Sequence, residues 1–253
     1  MSDTQDDFFI GWSQTAPKPD RRFLLAASLG LLASGATAGI ALGRNGLSSG
    51  PGQWQQSEVQ LWTGTLLNTP YPALLTQHNG VVRTALLATS GKTGVAAILP
   101  RDLVATAVTI RASAIVRGEN MMLAVSDTPD WVKPAPSQAN VALDATVADL
   151  GEVALSGEIL DAKCWFGAMR PGFGKTHKSC AALCARGELP LAFCRVGTCG
   201  DGLSAPLFLD AHGRPHGTTI LPFLADPVLA IGRLMRVRDQ VQFRVAPEAI
   251  RRL

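Results

Sequence analysis

The sequence predicts a mainly β protein: one N-terminal transmembrane helix, then two small OB-like β-barrels, the second with a Cys-bearing loop–helix insertion. Three observations predict it. An uncharged apolar run extends from Phe23 to Gly43, two later segments share one strand pattern, and all five cysteines fall in the second of them. Hydrophobic residues make up 47% of the 253 and charged residues 17%, a globular rather than a disordered balance. Without the first ~50 residues there is room for one larger or two small domains. The net charge of +3 is too small to call for nucleic acid, and one Tyr with 6% aromatics leaves little for base stacking.

Residues 1–22 read as a cytoplasmic tail. Its Phe8-Phe9-Ile10-Gly11-Trp12 cluster suits a membrane interface. Residues 23–43 form the transmembrane anchor, 21 residues without a charge, which at about 1.5 Å per residue cross a hydrocarbon core of about 30 Å. Lys18, Arg21 and Arg22 precede the run and only Arg44 follows closely. The positive-inside rule then puts the N-terminus in the cytoplasm and the bulk on the extracytoplasmic, periplasmic side of a bacterial inner membrane. Gly35 and Gly39 make a G-x-x-x-G pair, which is either a helix-packing face or part of a Gly/Ala-rich export segment. A cleaved signal is the alternative to the anchor, with Arg21-Arg22 as a loose twin-arginine pattern and Ala36-Thr37-Ala38 as the cleavage site. The uncleaved anchor is the preferred reading.

Residues 44–57, rich in Gly, Ser and Gln, read as a linker, and 133–149 as a second one. Between them lies the first OB-like domain, 58–132, and after them the second, 150–253. The first opens with EVQLWTGTLL and the second with EVALSGEIL. Aligned on Gly64 and Gly157, Trp62 and Leu66 match Leu155 and Ile159 at a period of two, the mark of a strand with one buried face. A central glycine fits a bulge or sharp bend. Each half closes on a strand–turn–strand pattern, turning at Arg117–Asn120 and at Arg238–Gln240. Small, partly closed barrels explain these traces, and a continuous β-sandwich is the other architecture that would leave them.

From Gly64 to Val116 is 52 positions and from Gly157 to Val237 is 80, so the second half is longer by 28. The run 164–190 has about that length and reads as an insertion after the first strand. Pro171, Gly172 and Gly174 make its first part a loop. Thr176 to Gly187 reads as a short helix with Thr176 as N-cap and Gly187 as C-cap, placing His177, Cys180 and Cys184 on one face. Three chemistries use these residues. In the preferred one Cys164 forms a disulfide with Cys180 or Cys184. In the second, Cys164, His177, Cys180 and Cys184 form a Cys₃His set for zinc or copper, and the third is a working redox thiol pair. The spacing C-x12-H-x2-C-x3-C lacks the tight C-x2-C pairs of structural zinc sites. Lys163, Arg170, Lys175, Lys178 and Arg186 surround the segment and favour thiolates or a bound anion. Met169 reads as a gap-filler rather than a soft ligand.

Cys194 and Cys199, in C-R-V-G-T-C, are expected to form a disulfide across the Gly197-Thr198 turn. His212, His216 and His78 read as solvated turn residues. Asp161 and Glu158 have no evident acid–base partner. The pattern Gly157-x-Ile159-x-Asp161-x-x-Cys164, then Gly174-Lys175-x-His177-x-x-Cys180-Ala181-x-x-Cys184 and Gly187-x-x-Pro190, resembles a motif of uncharacterised exported bacterial domains. The resemblance covers about 35 residues and implies an exported, barrel-like domain without implying an activity.

The chain has no phosphate loop, no H-E-x-x-H and no C-x-x-C-H. The expectation is therefore a non-enzymatic, membrane-anchored accessory or assembly subunit of a larger membrane complex, meeting a membrane-protein partner and requiring no cofactor. The alternative is a redox or metal-handling protein that uses the Cys/His cluster. An anion-binding module on the basic loop is a third.

Overall fold

A computed structural model of the chain describes residues 17–46, 51–126, 128, 130–136, 141, 143 and 146–253. The Phe8–Trp12 cluster and parts of both predicted linkers lie outside the described residues. Among the described residues, the first unit holds one helix, α1 (Lys18–Gly46). Its Leu- and Ala-rich sequence favours helix. The hydroxyls of Ser34 and Thr37 donate to the carbonyls of Gly30 and Ala33, each at 2.7 Å, so these polar groups are satisfied without water. The stretch Lys18–Gly43 is long and apolar enough to cross a membrane.

The second unit, from residue 49 onward, is built of two six-stranded sheets. The first contains β1 (Gln53–Leu67), β2 (Ala73–His78), β3 (Val81–Thr89), β4 (Ala107–Arg117), β5 (Asn120–Val125) and β6 (Val132–Pro134). Its order is β1-β2-β3-β5-β4-β6, and a β1–β4 pairing closes a five-stranded barrel. The second contains β7 (Val147–Asp161), β8 (Leu191–Arg195), β9 (Leu207–Leu209), β10 (Pro227–Val237), β11 (Gln240–Arg244) and β12 (Ile250–Arg252). Its pairings run the same circuit, β7-β8-β9-β11-β10 and back to β7. In both circuits the third and fifth strands are parallel and the other neighbours antiparallel.

The long first strands have to serve two neighbours, and their glycines permit it. Gly64 pairs with Val108 of β4 and Thr76 of β2, and a Cβ there would lie 2.2 Å from the Leu75 carbonyl oxygen. Gly157 pairs with Val228 of β10 and Arg195 of β8, and a Cβ there would lie 2.0 Å from the Cys194 carbonyl oxygen. Both strands also start earlier than apolar alternation indicates, β1 at Gln53 inside the predicted 44–57 linker and β7 at Val147 inside the 133–149 linker. Their leading residues are largely exposed, so backbone pairing with β4 and β10 extends them and leaves no buried-face signature.

Each ring has its own core. Trp62, Leu66, Leu74, Ile110 and Leu123 fill the first. Phe193, Phe208 and Phe243 fill the second, with centroids 5.2–5.9 Å apart. A third cluster joins the sheets: Leu86, Ile115 and Met122 from the first pack against Leu160, Ala192 and Leu207 from the second.

Two buried cations cross this joint in opposite directions. Arg117, at the end of β4, donates to the carbonyls of Trp165, Cys199, Gly200 and Gly202 at 2.6–3.1 Å, its guanidinium 3.6 Å from the Trp165 ring centroid. Lys163, just past β7, donates to the carbonyls of Thr89, Ser90 and Gly91 at 2.6–2.8 Å. Asp239, in the β10–β11 turn, accepts from the backbone and hydroxyl of Thr84. Burial lowers the Arg117 pKa to about 10, which still leaves it charged at neutral pH. Replacing Arg117 with Leu takes this donor from the buried carbonyls of Trp165, Gly200 and Gly202, while that of Cys199 keeps the Trp165 indole, and should cost about 3 kcal/mol of stability. The readout is the urea midpoint of the full chain in detergent, and an unchanged midpoint would mean that apolar packing alone holds the joint.

Candidate functional site, a cluster of three thiols

The insertion lies between β7 and β8, where the first sheet has only a five-residue connection, 68–72. It opens with a tight π-type turn over Cys164–Ala168, continues through a 3₁₀ turn at Lys175–His177 and ends in helix α2 (Lys178–Arg186). Gly187 is its C-cap as expected, whereas Thr176 lies in the 3₁₀ turn and His177 holds the N-cap position without a side-chain cap. The helix thus begins one residue later than the sequence indicates, and His177 stands at its N-cap rather than within it.

This shift decides the ligand geometry. The Sγ atoms of Cys164, Cys180 and Cys184 all lie within 4.8 Å of one another. All three are free thiols, Cys164 and Cys184 buried and Cys180 half-buried. The expected bridge from Cys164 is not formed: its Sγ stands 3.8 Å from that of Cys180, against about 2.05 Å for a disulfide. His177 groups with Cys164 and Asp161, their ligand atoms all within 4.8 Å of one another, rather than with all three thiols. Its Nε2–H donates to Oδ2 of Asp161 at 2.7 Å, with both side chains buried. The partner missing for Asp161 in the sequence is therefore present in the structure.

Asp161, the last residue of β7, connects the two groups. Its Oδ1 accepts the Cys164 backbone N–H at 2.8 Å. Burial alone would raise its pKa, but the His177 hydrogen bond and charge and the Cys164 N–H outweigh burial and hold it below the usual carboxylate value. Among the thiols the proton is shared unequally. A hydrogen bond from Cys164 to Cys184, aided by burial, pushes the Cys164 thiol up, and the same bond pulls Cys184 down.

The cation at the cluster comes from the other sheet. Lys92, from the loop between β3 and β4, donates from Nζ to Cys180 Sγ at 2.6 Å, and that bond raises the lysine pKa. The basic residues of the insertion are largely engaged elsewhere: Lys163 on the carbonyls of 89–91, Arg170 on Gly52, Lys178 on Asp226. Lys92 lies 88 positions from Cys180, in a Ser-Gly-Lys-Thr-Gly run that reads only as a turn, so no local signal marks it.

Cys194 and Cys199 form the expected disulfide. Beside it, Glu158 accepts the Gly174 N–H at 2.8 Å, and burial raises its pKa. Met169 is exposed rather than filling a gap. His212 is exposed, but His216 is buried and stacks on Phe208 at 4.7 Å between centroids, with burial lowering its pKa; it is not the solvated turn residue that a Gly/Pro-rich setting suggests. His78, at the end of β2, packs against Trp62.

Because the Asp161 pKa is lower folded than unfolded, its stabilisation is complete above the unfolded value of about 4 and is lost as pH falls through the folded value. Asp161→Asn should lower stability at neutral pH and flatten the acid limb, measured as urea midpoints between about pH 3 and 7. A parallel, equally steep limb in the variant would assign the acid sensitivity to other groups. No family model, curated protein or solved structure matches the chain.

Proposed function

We propose that this is a membrane-anchored, extracytoplasmic metal-handling protein that binds one soft metal ion, copper(I) or zinc, through Cys164, Cys180 and Cys184. One observation carries the reading: three free thiols lie within 4.8 Å of one another. The 3.8 Å between Cys164 and Cys180 is also about the edge of a tetrahedron with zinc–sulfur bonds of about 2.3 Å. Thiolates select copper(I) and zinc over harder ions. Asp161 acts from outside the ligand set by holding the Cys164 backbone, and His177 holds Asp161. The Lys92 ammonium offsets part of the negative charge of three thiolates. Two buried sulfurs with a half-buried third supply both shelter and an entry path.

Around this centre, the two strand circuits are a tandem of OB-like barrels, and α1 is an uncleaved anchor in the bacterial inner membrane with the β unit on the periplasmic side. The apolar length of α1 supports the anchor, and the shared strand circuit supports the tandem. An anchored metal-binding barrel pair suits an accessory role toward a larger membrane protein, delivering or accepting the ion. The resemblance of the Gly157–Pro190 motif to exported bacterial domains agrees with that location.

The test uses the full chain, extracted in detergent and kept reduced and anaerobic. Metal analysis and competitive copper(I) and zinc titration should give about one ion per chain. Cys184→Ser should abolish tight binding. His177→Ala should still bind the ion, with affinity weaker by about 10–100-fold at most. Absence of binding by the reduced chain, or a Cys164–Cys180 disulfide in the freshly isolated protein, would overturn the reading.

A further inference from the structure

The approach of Lys92 to Cys180 is built into the fold from both ends. On one flank, Lys163 pins the carbonyls of Thr89, Ser90 and Gly91. On the other, the Gly94 N–H donates to the Gly187 carbonyl at 2.6 Å. A Cβ on Gly187 would sit 2.0 Å from the Lys92 carbonyl oxygen, so the loop lies directly against the C-terminal end of α2. From there the Lys92 side chain reaches Cys180, two helical turns back along α2. The 2.6 Å between Nζ and Sγ is shorter than the ~2.9 Å of an ordinary N–H···O bond, although sulfur is the larger atom. A single oxygen bonded to both atoms, at ordinary bond lengths and a bent angle, sets nitrogen and sulfur about this far apart. Lys92 is exposed and Cys180 half-buried, so small oxidants reach this pair before the two buried thiols.

We propose that Lys92 and Cys180 are a redox modification site, joined through one oxygen atom as an N–O–S cross-link when the reduced protein meets dioxygen. One N–H bond of the amine and the S–H bond of the thiol break, and N–O and O–S bonds form. Nitrogen and sulfur each give two electrons, and dioxygen takes the four. One of its oxygens bridges, and the other leaves as water with the two protons. Two equivalents of a dithiol return four electrons and four protons and restore the amine and thiol, releasing water. The cross-link removes Cys180 from the cluster and leaves Cys164 facing Cys184. It depends on the Lys92–Cys180 approach, not on a metal in the cluster.

The experiment divides the full chain in detergent, one portion kept anaerobic and reduced, the other exposed to air, each then alkylated, digested and analysed by mass spectrometry. In the aerated portion the Lys92 and Cys180 peptides should be joined and about 14 Da heavier than their sum, one oxygen in and two hydrogens out, with release by dithiothreitol. The species should be absent from the anaerobic portion and from Lys92→Arg and Cys180→Ser. Cys184→Ser should still form it while failing to bind metal, which separates this proposal from the metal reading. Complete alkylation of Cys180 after aeration would overturn it. So would Cys180 joined to Cys164, Cys184 or Lys92 by a direct bond, each about 2 Da lighter than the separate peptides.

Discussion

Burying a cation costs several kcal/mol unless its donors are met, and the β unit of this protein buries two of them across one joint. Arg117 reaches from the first sheet to carbonyls of the second, and Lys163 reaches back. The cysteine cluster is attached to both. Lys163 precedes Cys164 in the chain, and the Trp165 carbonyl that Arg117 holds follows it. The loop that Lys163 pins is the one that carries Lys92 to Cys180. Neither sheet could assemble this cluster alone: the sulfurs belong to one and the ammonium to the other.

Within the cluster, one carboxylate orders the groups. Asp161 is fixed by the pairing of β7 with β8, and it binds His177 through one oxygen and the Cys164 backbone through the other. The 3₁₀ turn and the π-type turn are thereby tied to the same strand end, which aims Cys164 at the face of α2 that carries Cys180 and Cys184. The proton distribution follows from the packing. Cys164 is the thiol that donates, Cys184 the one that accepts, and Cys180 the one that meets an outside charge. Three residues of one type thus have three different environments.

Much of this was legible in the sequence because it depends on local pattern. The bent first strands at Gly64 and Gly157, the closing hairpins, the apolar helix, the Cys194–Cys199 bridge and the position of the insertion follow from periodicity, turn chemistry and spacing. What escaped depends on contacts between distant segments. Thr176 reads as the N-cap because Thr is a good one, whereas His177 holds that position and is bonded to Asp161, 16 residues back in the chain. Lys92 sits in a run whose Gly and Ser content signals only a turn, and its role appears when the two sheets meet. Lys163 reads in the sequence as one of several loop charges, yet it is only 3% exposed. His216 lies in turn-like sequence but is covered by Phe208, which comes from a strand of its own sheet.

The Cys194–Cys199 bridge encloses so short a loop that the chain-entropy model credits it with only about 2 kcal/mol. Its position matters more than that figure. The Cys199 carbonyl accepts from both the Trp165 indole and the Arg117 guanidinium, so the bridge acts as a rigid template for an acceptor shared by the two sheets. The hold of the Arg117 guanidinium and the Trp165 indole on this part of the second sheet therefore rests on an acceptor that a covalent loop keeps in place.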